Sequence, residues 1–302
     1  MGHQMGAPQI PRGSKVTSRF RSIARRIKNR VSRTSVFLRS IGPASGDILK
    51  FRCNICGSRC RAAITALGRE TPSCAGCGST VRMRAIIHVL STELFGRSLA
   101  IAEFPVMPGI KGAGMSDRDG YAARLGKKLG YRNTFYHCEP RLDITSIDQA
   151  MEGTLDFLIS SDVFEHVNPP VTRAFANARR LLSHDGVLIF TVPYRKNGPT
   201  VEHFPGLHDY RIRKEAGEYI LKNRRATGEE ESFRNLVFHG GPGATLELRV
   251  FSEPAIMEEL ERAGFCYVKI YDEPCHEFGI VWEHNWSLPI AARICSPGEE
   301  RQ

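Results

Sequence analysis

Two CxxC pairs, Cys53/Cys56 and Cys74/Cys77, are separated by 17 residues, and no other feature limits this chain's first folded unit as tightly. Each CxxC turn presents two thiolates on one side of a knuckle. Two facing knuckles complete the tetrahedron that Zn2+ takes with four sulfur ligands. The spacing predicts a small zinc ribbon over residues 47–80, with a structural Zn2+ on Cys53, Cys56, Cys74 and Cys77. Gly57 and Gly78 follow the second cysteine of each pair, where a knuckle turn calls for positive φ. Unpaired core thiols, disulfides or a redox CxxC are the other readings, but a redox motif needs no matching copy at ribbon distance. Cys60 is surplus to a four-ligand site.

The chain has 302 residues and a net charge of +10, enough length for one large domain beside a small one. The charge is concentrated. Residues 1–46 hold ten of the 42 basic residues and no acid, which leaves 32 basic against 32 acidic residues in the remainder. Within that tail Val16, Phe20, Ile23, Ile27 and Val31 fall on one helical stripe among arginines. A basic amphipathic helix over residues 12–39 suits an anionic membrane surface, a nucleic acid or an acidic partner. A solvated helix, a disordered leader or an organellar transit segment is the plainer reading. No apolar run nears the roughly 20 residues of a membrane span, and no secretory signal is read. The expected location is cytoplasmic, with peripheral membrane association as a variant.

After the ribbon, strand and helix alternate. A helix is expected from Val81 to Phe95, ending at Gly96, then a strand at 110–115 running into glycine-rich backbone. Tyr121–Leu129 reads as a helix, Asn133–His137 as a strand, and Leu155–Ser160 as a strand buried on both faces. Asn168, before Pro169 and Pro170, is the expected cap of the next helix, followed by a strand at Val187–Val192. Residues 195–250 read as an irregular lid. Ser252 caps a helix through Ala263, and strands near Cys266–Tyr271 and Gly279–Trp282 close the chain. The pattern is that of an α/β doubly wound sheet. The division is 1–46 basic tail, 47–80 ribbon, and 81–302 main domain with the insertion 195–250.

The segment LDFLISSDVFEHV, a helix, and then LLSHDGVLIFTVP resembles the centre of class I S-adenosylmethionine-dependent methyltransferases. The resemblance covers about residues 108–285. It implies a mostly parallel, seven-stranded, Rossmann-like sheet with S-adenosylmethionine at its switch point. By that resemblance Glu139 accepts the ribose hydroxyls, Asp143 accepts from the adenine amino group, and Asp162 faces cofactor or acceptor. The glycine turn departs from the family's GxGxG. In GAGMSD, Gly112, Gly114 and Ser116 stand where three glycines would, and Asp117 is placed to meet the aminoacyl ammonium. A second register makes Leu99–Phe104 the first strand, 110–117 the second, and Asp117 the ribose ligand.

Each acid also has a plain reading as a strand-end residue, and Asp156 is assigned to structure. Glu165 and His166 follow the strand where an acceptor would approach, though Glu-His there also braces the next helix. Tyr194 ends a strand beside the same cleft. Pro193-Tyr194 is similar to part of the tetrapeptide of amino-group methylases but sits on the wrong strand, so DNA methylation is not inferred. His203, His208 and His239 lie in the lid, where a histidine base would serve a hydroxyl acceptor. The His203–His208 spacing with Asp209 could hold a metal, but nothing in the sequence fixes its geometry. The candidate catalytic residues are therefore Glu165, His166, Tyr194, His203 and His208.

The expectation is a methyltransferase for a small hydroxylated metabolite or glycan, since residues 47–302 lack the basic face that nucleic acid needs. An RNA-modifying or nucleic-acid-binding protein that grips phosphates with ribbon and tail is the alternative. A non-catalytic interaction protein with a decayed cofactor pocket is the third.

Overall fold

The computed structural model describes residues 47–294, so the basic helix expected over 12–39 lies outside the described residues. Strands β1 (Ile48–Arg52) and β2 (Arg59–Ala63) form an antiparallel hairpin. Its connection carries Cys53 and Cys56, and the loop after it carries Cys74 and Cys77. Gly57 and Gly78 have φ of 81° and 67°, left-handed values that a side chain would strain. Helix α1 (Val81–Phe95) follows directly. Thr80 accepts from the Met83 N–H at its start, and Gly96, at φ 72°, ends it.

The hairpin is fastened to α1 through buried polar groups. Arg84 is fully buried and donates to the carbonyls of Ser79, Phe278 and Gly279 and to the Ser73 hydroxyl. Asn54 donates to the Arg84 carbonyl. Cys53, Ile55 and Cys74 share one apolar cluster with Ile86, Val89 and Leu90.

Strands β3 (Met107–Met115), β4 (Leu129–Thr134), β5 (Leu155–Ser161), β6 (Leu182–Thr191), β15 (Phe265–Ile270) and β16 (Ile290–Ile294) make one sheet in the order β15-β16-β6-β5-β3-β4. The β4-β3-β5-β6 pairings are parallel, and β16 is antiparallel to both β6 and β15. The continuous apolar runs of β5 and β6 are explained by two covered faces. Phe157, Ile159, Val187 and Ile189 pack toward α1 and α2 (Asp119–Leu125). Leu158, Leu188 and Phe190 pack toward α3 (Thr172–Leu181) and α4 (Glu253–Ala263). Ser252 caps α4 and Gly264 closes it at φ 94°, as the sequence predicts.

Several expectations are corrected. The sheet has six strands among the described residues, not seven. Beyond β4 only one parallel bridge, Phe135–Arg141, forms, because Pro140 has no N–H to donate and Asp143 turns the chain back through its carbonyl to the Ser146 N–H. The second register fails: Ile101–Glu103 is a 3-10 turn, and β3 is an inner strand paired on both sides. The final strand is Ile290–Ile294, not Gly279–Trp282, where a single Cys275–Ile280 bridge stands. The helix expected over Tyr121–Leu129 stops at Leu125, and Leu129 already opens β4. Asn168 does not cap α3, whose first residue is Thr172; its side chain instead accepts from the Tyr210 hydroxyl at 2.8 Å.

Residues 195–250 are not irregular. Strands β9 (Asp209–Glu215), β10 (Glu218–Arg224) and β11 (Glu230–Phe233) form an antiparallel sheet over a small core of Phe204, Leu221, Leu246 and Leu248. Short pairs β12 (Phe238–His239) with β13 (Thr245–Leu246), and β14 (Arg249–Ser252) with β7 (Tyr194–Arg195) and β8 (Val201–Glu202), dock this insertion onto the main domain. No helix among the described residues is long and apolar enough to cross a membrane.

Candidate active site

The chain leaves β3 for β4 on one side and reaches β5 on the other, so the switch point of the sheet lies between β3 and β5, at their C-terminal ends. Ser116 follows β3, Glu139 and Asp143 follow β4, and Asp162 follows β5, all at the C-terminal ends of these parallel strands. Ser116 and Asp162 have φ of 59° and 54°, left-handed values uncommon outside glycine.

The glycines of the turn serve packing. A side chain at Gly112 would meet the Phe157 ring at 2.1 Å, and one at Gly114 would meet Asp117 at 2.0 Å and the Tyr131 hydroxyl at 2.1 Å. Asp117 is buried and accepts from Tyr121 at 2.7 Å and Tyr131 at 2.6 Å. Burial pushes its carboxyl up to about 6, although both tyrosine hydroxyls and Arg82 pull the other way. Asp117 therefore braces the turn from within and does not present a free carboxylate to an ammonium group, which corrects the sequence expectation.

Asp162 is held by two arginines from outside the sheet. Arg69, in the loop after β2, donates to both its oxygens at 2.9 and 2.8 Å, Arg82 of α1 lies at 3.1 Å, and the Thr191 hydroxyl donates at 2.9 Å. Burial alone would raise this carboxyl, but the two guanidinium groups outweigh it and hold it well below the usual carboxylate range. Glu70 accepts from Arg82 at 2.6 and 2.7 Å and completes the cluster. Sequence reading missed Arg69 and Arg82, because an arginine outside the sheet reads as solvated.

Asp143 is half-buried. Its Oδ1 accepts from the Thr145 N–H and hydroxyl at 2.9 and 2.7 Å, and it lines a cavity of about 270 Å3 with Leu142, Ile147, Asp148 and Met151. Glu139 is exposed and accepts from the Arg141 N–H at 2.9 Å. Asp156 is structural, as expected, accepting from the Lys111 N–H at 2.8 Å.

A second group gathers past the end of β5, under the insertion. Glu165 has a fully buried side chain, and neither carboxylate oxygen has a hydrogen-bond partner among the described residues. The Nε2 of His166 and the Nδ1 of His239 each lie 3.7 Å from its Oε1. The outward nitrogens are anchored: His166 Nδ1 is 2.8 Å from the Leu246 carbonyl, and His239 Nε2 is 2.8 Å from Glu247. His203 holds the other Glu247 oxygen at 2.7 Å.

Burial, with the Asp162 charge adding to it, pushes the Glu165 carboxyl well above its ordinary range. The hydrogen bond to Glu247 raises His239, and burial lowers His166. Arg249, also fully buried, donates to the carbonyls of Phe164 and Val167 at 3.0 and 2.6 Å and so fixes the turn bearing Glu165 and His166. Glu247 and Arg249 were missed, although the alternation in TLELR signals a strand with charges on one face. Two expected members are not in this group. Tyr194 is buried against Ser287 and Leu288. His208 is fixed through its backbone N–H to Asn223.

In the hairpin unit, the sulfurs of Cys53, Cys56, Cys74 and Cys77 lie within 4.8 Å of one another. The Cys53–Cys77 and Cys56–Cys74 separations are 3.7 and 3.5 Å. Cys60 sits at 3.5 Å from Cys74, outside that four-sulfur group.

Residues 123–190 match the family model described as a methyltransferase domain. No curated protein matches the chain. Among solved structures, the chain is similar to the sugar N-methyltransferase KedS8 from Streptoalloteichus sp. ATCC 53650, at 14% identity and a TM-score of 0.40, over 87% of this chain and 100% of that one. It is also similar to the 1,6-didemethyltoxoflavin-N1-methyltransferase of Burkholderia thailandensis, at 14% identity and a TM-score of 0.38, over 71% of this chain and 78% of that one. At such identities and scores the acceptors of these proteins do not transfer to this one. The family match rests on residues that run from α2 through β6, so the chain carries a methyltransferase domain, with Asp162, Glu165 and His166 inside the matched stretch.

Proposed function

We propose that the chain is an S-adenosylmethionine-dependent methyltransferase acting on a small hydroxylated acceptor, with saccharides as the favoured class. One observation supports the reading: the methyltransferase-domain match covers the segment that carries Glu139, Asp143 and Asp162, which follow the C-terminal ends of β4 and β5 beside the switch point.

The cavity beside Asp143 fits the cofactor's adenine. Leu142, Ile147 and Met151 give it apolar walls, and the carboxylate has one oxygen with no hydrogen bond among the described residues. Asp143 would hold the adenine amino group and Glu139 the ribose hydroxyls. When bound, S-adenosylmethionine supplies a methyl group on a cationic sulfur. Asp162, saturated by Arg69, Arg82 and Thr191, keeps those arginines fixed at the rim. The proton of an acceptor hydroxyl would leave toward His203, whose imidazole is held by Glu247 at 2.7 Å.

Calorimetric titration of the full chain with S-adenosylmethionine tests this reading. We expect one binding event, weakened about ten- to a hundredfold by Asp143→Ala, since a buried donor on the ligand then loses its acceptor. Wild-type affinity in both Asp143→Ala and Glu139→Ala would refute the assignment.

We also infer that Cys53, Cys56, Cys74 and Cys77 hold a structural Zn2+ as a zinc ribbon. Their sulfur separations of 3.5 and 3.7 Å are close to the ~3.8 Å edge of a tetrahedron with Zn–S bonds of about 2.3 Å. Elemental analysis should find zinc in chelator-free protein and none in Cys74→Ser, whose hairpin should lose its fold with the metal. A zinc-free wild-type protein would end that claim.

A further inference from the structure

We infer that Glu165, His166 and His239 form a second metal site, for a divalent first-row transition ion, at the mouth of the cleft. Three observations converge on it. The first is the unpartnered carboxyl group of Glu165, whose side chain is fully buried and whose two oxygens have no hydrogen-bond partner among the described residues. A buried carboxylate without a donor is costly, and proteins place one where a cation or a proton completes it.

The second is distance. His166 Nε2 and His239 Nδ1 stand 3.7 Å from the same Glu165 oxygen, too far for hydrogen bonds. Two metal–ligand bonds of about 2.1 Å at an angle of roughly 120° would span that gap. All three ligand atoms lie within 4.8 Å of one another.

The third is the shell behind the ligands. Metal-bound histidines use the other ring nitrogen on a carbonyl or carboxylate, which fixes tautomer and ring direction. Here His166 does so with the Leu246 carbonyl and His239 with Glu247, both at 2.8 Å. His203 holds the far side of Glu247, and Arg249 holds the turn that carries Glu165 and His166. The rings of His166 and His239 meet edge to face with centroids 4.7 Å apart, so both nitrogens turn toward Glu165 without the rings clashing.

Two histidines and one carboxylate leave coordination positions open. The His239 side chain is 35% exposed, so the site is reached from solvent on that side. Use of the ion in catalysis rests on the methyl-transfer reading above; the existence of the site does not. The Cys quartet offers thiolates and suits Zn2+, whereas this set of imidazoles and a carboxylate also suits Mn2+, Fe2+ and Co2+.

Titration of the zinc-loaded full chain with CoCl2, followed by calorimetry and elemental analysis, tests the site without cofactor or acceptor. We expect one Co2+ bound per chain with the zinc retained. Affinity should fall at least about a hundredfold in Glu165→Gln and in His239→Ala, and about ten- to a hundredfold in Glu247→Gln, which acts only through His239. His239 is part-exposed, so its variant remains informative even if Glu165→Gln is misfolded. Absence of cobalt binding beyond exchange at the thiolates would overturn the inference, as would equal binding by wild type, Glu165→Gln and His239→Ala. Because no methyl transfer is measured, either result leaves S-adenosylmethionine binding to stand or fall separately.

Discussion

Asp162 and Glu165 are three residues apart on the same turn of chain, one half-buried and the other fully buried, and their surroundings are opposite. Asp162 receives Arg69, Arg82 and Thr191. The Glu165 carboxylate oxygens have no hydrogen-bond partner among the described residues. A carboxylate whose partners all come from the protein is committed to holding elements together, here the hairpin unit and α1 against the end of β5. A carboxylate left unmet among inward-turned histidines is arranged for something that is not protein. The difference separates a clamp from a ligand site more sharply than residue type does.

The largest effect should come from breaking the clamp. Asp162→Ala takes a charge-assisted acceptor from two part-buried guanidinium groups and leaves Glu70 as their remaining carboxylate partner, a loss of about 1.5–3 kcal/mol. Denaturant titration at neutral pH should show that loss. A change below about 1 kcal/mol would mean that the arginines find other partners and that the clamp is not structural.

Gly112→Ala should come next. Its methyl group would sit 2.1 Å from the Phe157 ring in the middle of the sheet, an overpacking worth about 1–3 kcal/mol. Unchanged stability would show that the GAGMSD turn relaxes easily and could be open to a ligand after all.

A third, pH-dependent effect distinguishes Asp117 from Asp162. The folded state raises the Asp117 carboxyl from 3.8 to about 6, so the native protein keeps this proton after the unfolded chain has lost it. Its contribution is full below pH 4 and falls as pH rises through about 6. Asp162 has the opposite sign: its pKa is depressed, so its contribution is present above pH 4 and is lost in acid. Comparing thermal unfolding of wild type with Asp117→Asn at pH 4.5 and 6.5 should show the wild-type advantage shrinking at the higher pH. A gap that widens instead would contradict the enclosure of Asp117 by Tyr121 and Tyr131.

The smallest effect is expected at Glu165. In metal-free protein Glu165→Gln replaces a buried carboxyl group that no donor meets with an amide of the same shape, so stability should change little. A loss as large as that of Asp162→Ala would show that Glu165 is a structural acceptor and erase the contrast between the two acids.

The same contrast explains what the sequence disclosed. Local chemistry was legible: Gly96 and Gly264 end helices where expected, Gly57 and Gly78 take positive φ, and β5 and β6 follow from apolar runs covered on both faces. The cysteine quartet came together because its spacing is a short-range property. Residues that meet only across the fold were missed. Arg69 finds Asp162 across 93 positions, and His203 finds Glu247 across 44. The insertion read as irregular because β9 is mostly charged and exposed, with only Tyr210 and Ile212 to mark a period of two. Glu139, Asp143 and Asp162 were named from a resemblance, and the fold does bring them to one edge. Asp117 was misjudged because the tyrosines that enclose it, Tyr121 and Tyr131, gave no sign of hydrogen bonding from sequence alone.

Calorimetric titration of the zinc-loaded full chain with S-adenosylmethionine, repeated with Asp143→Ala, tests most directly whether this edge of the sheet is a methyl-transfer cleft. The account predicts a single saturable site in the wild type and an affinity lower by about ten- to a hundredfold in the variant. No binding heat at millimolar cofactor in folded protein, or identical affinity in Asp143→Ala and Glu139→Ala, would contradict it.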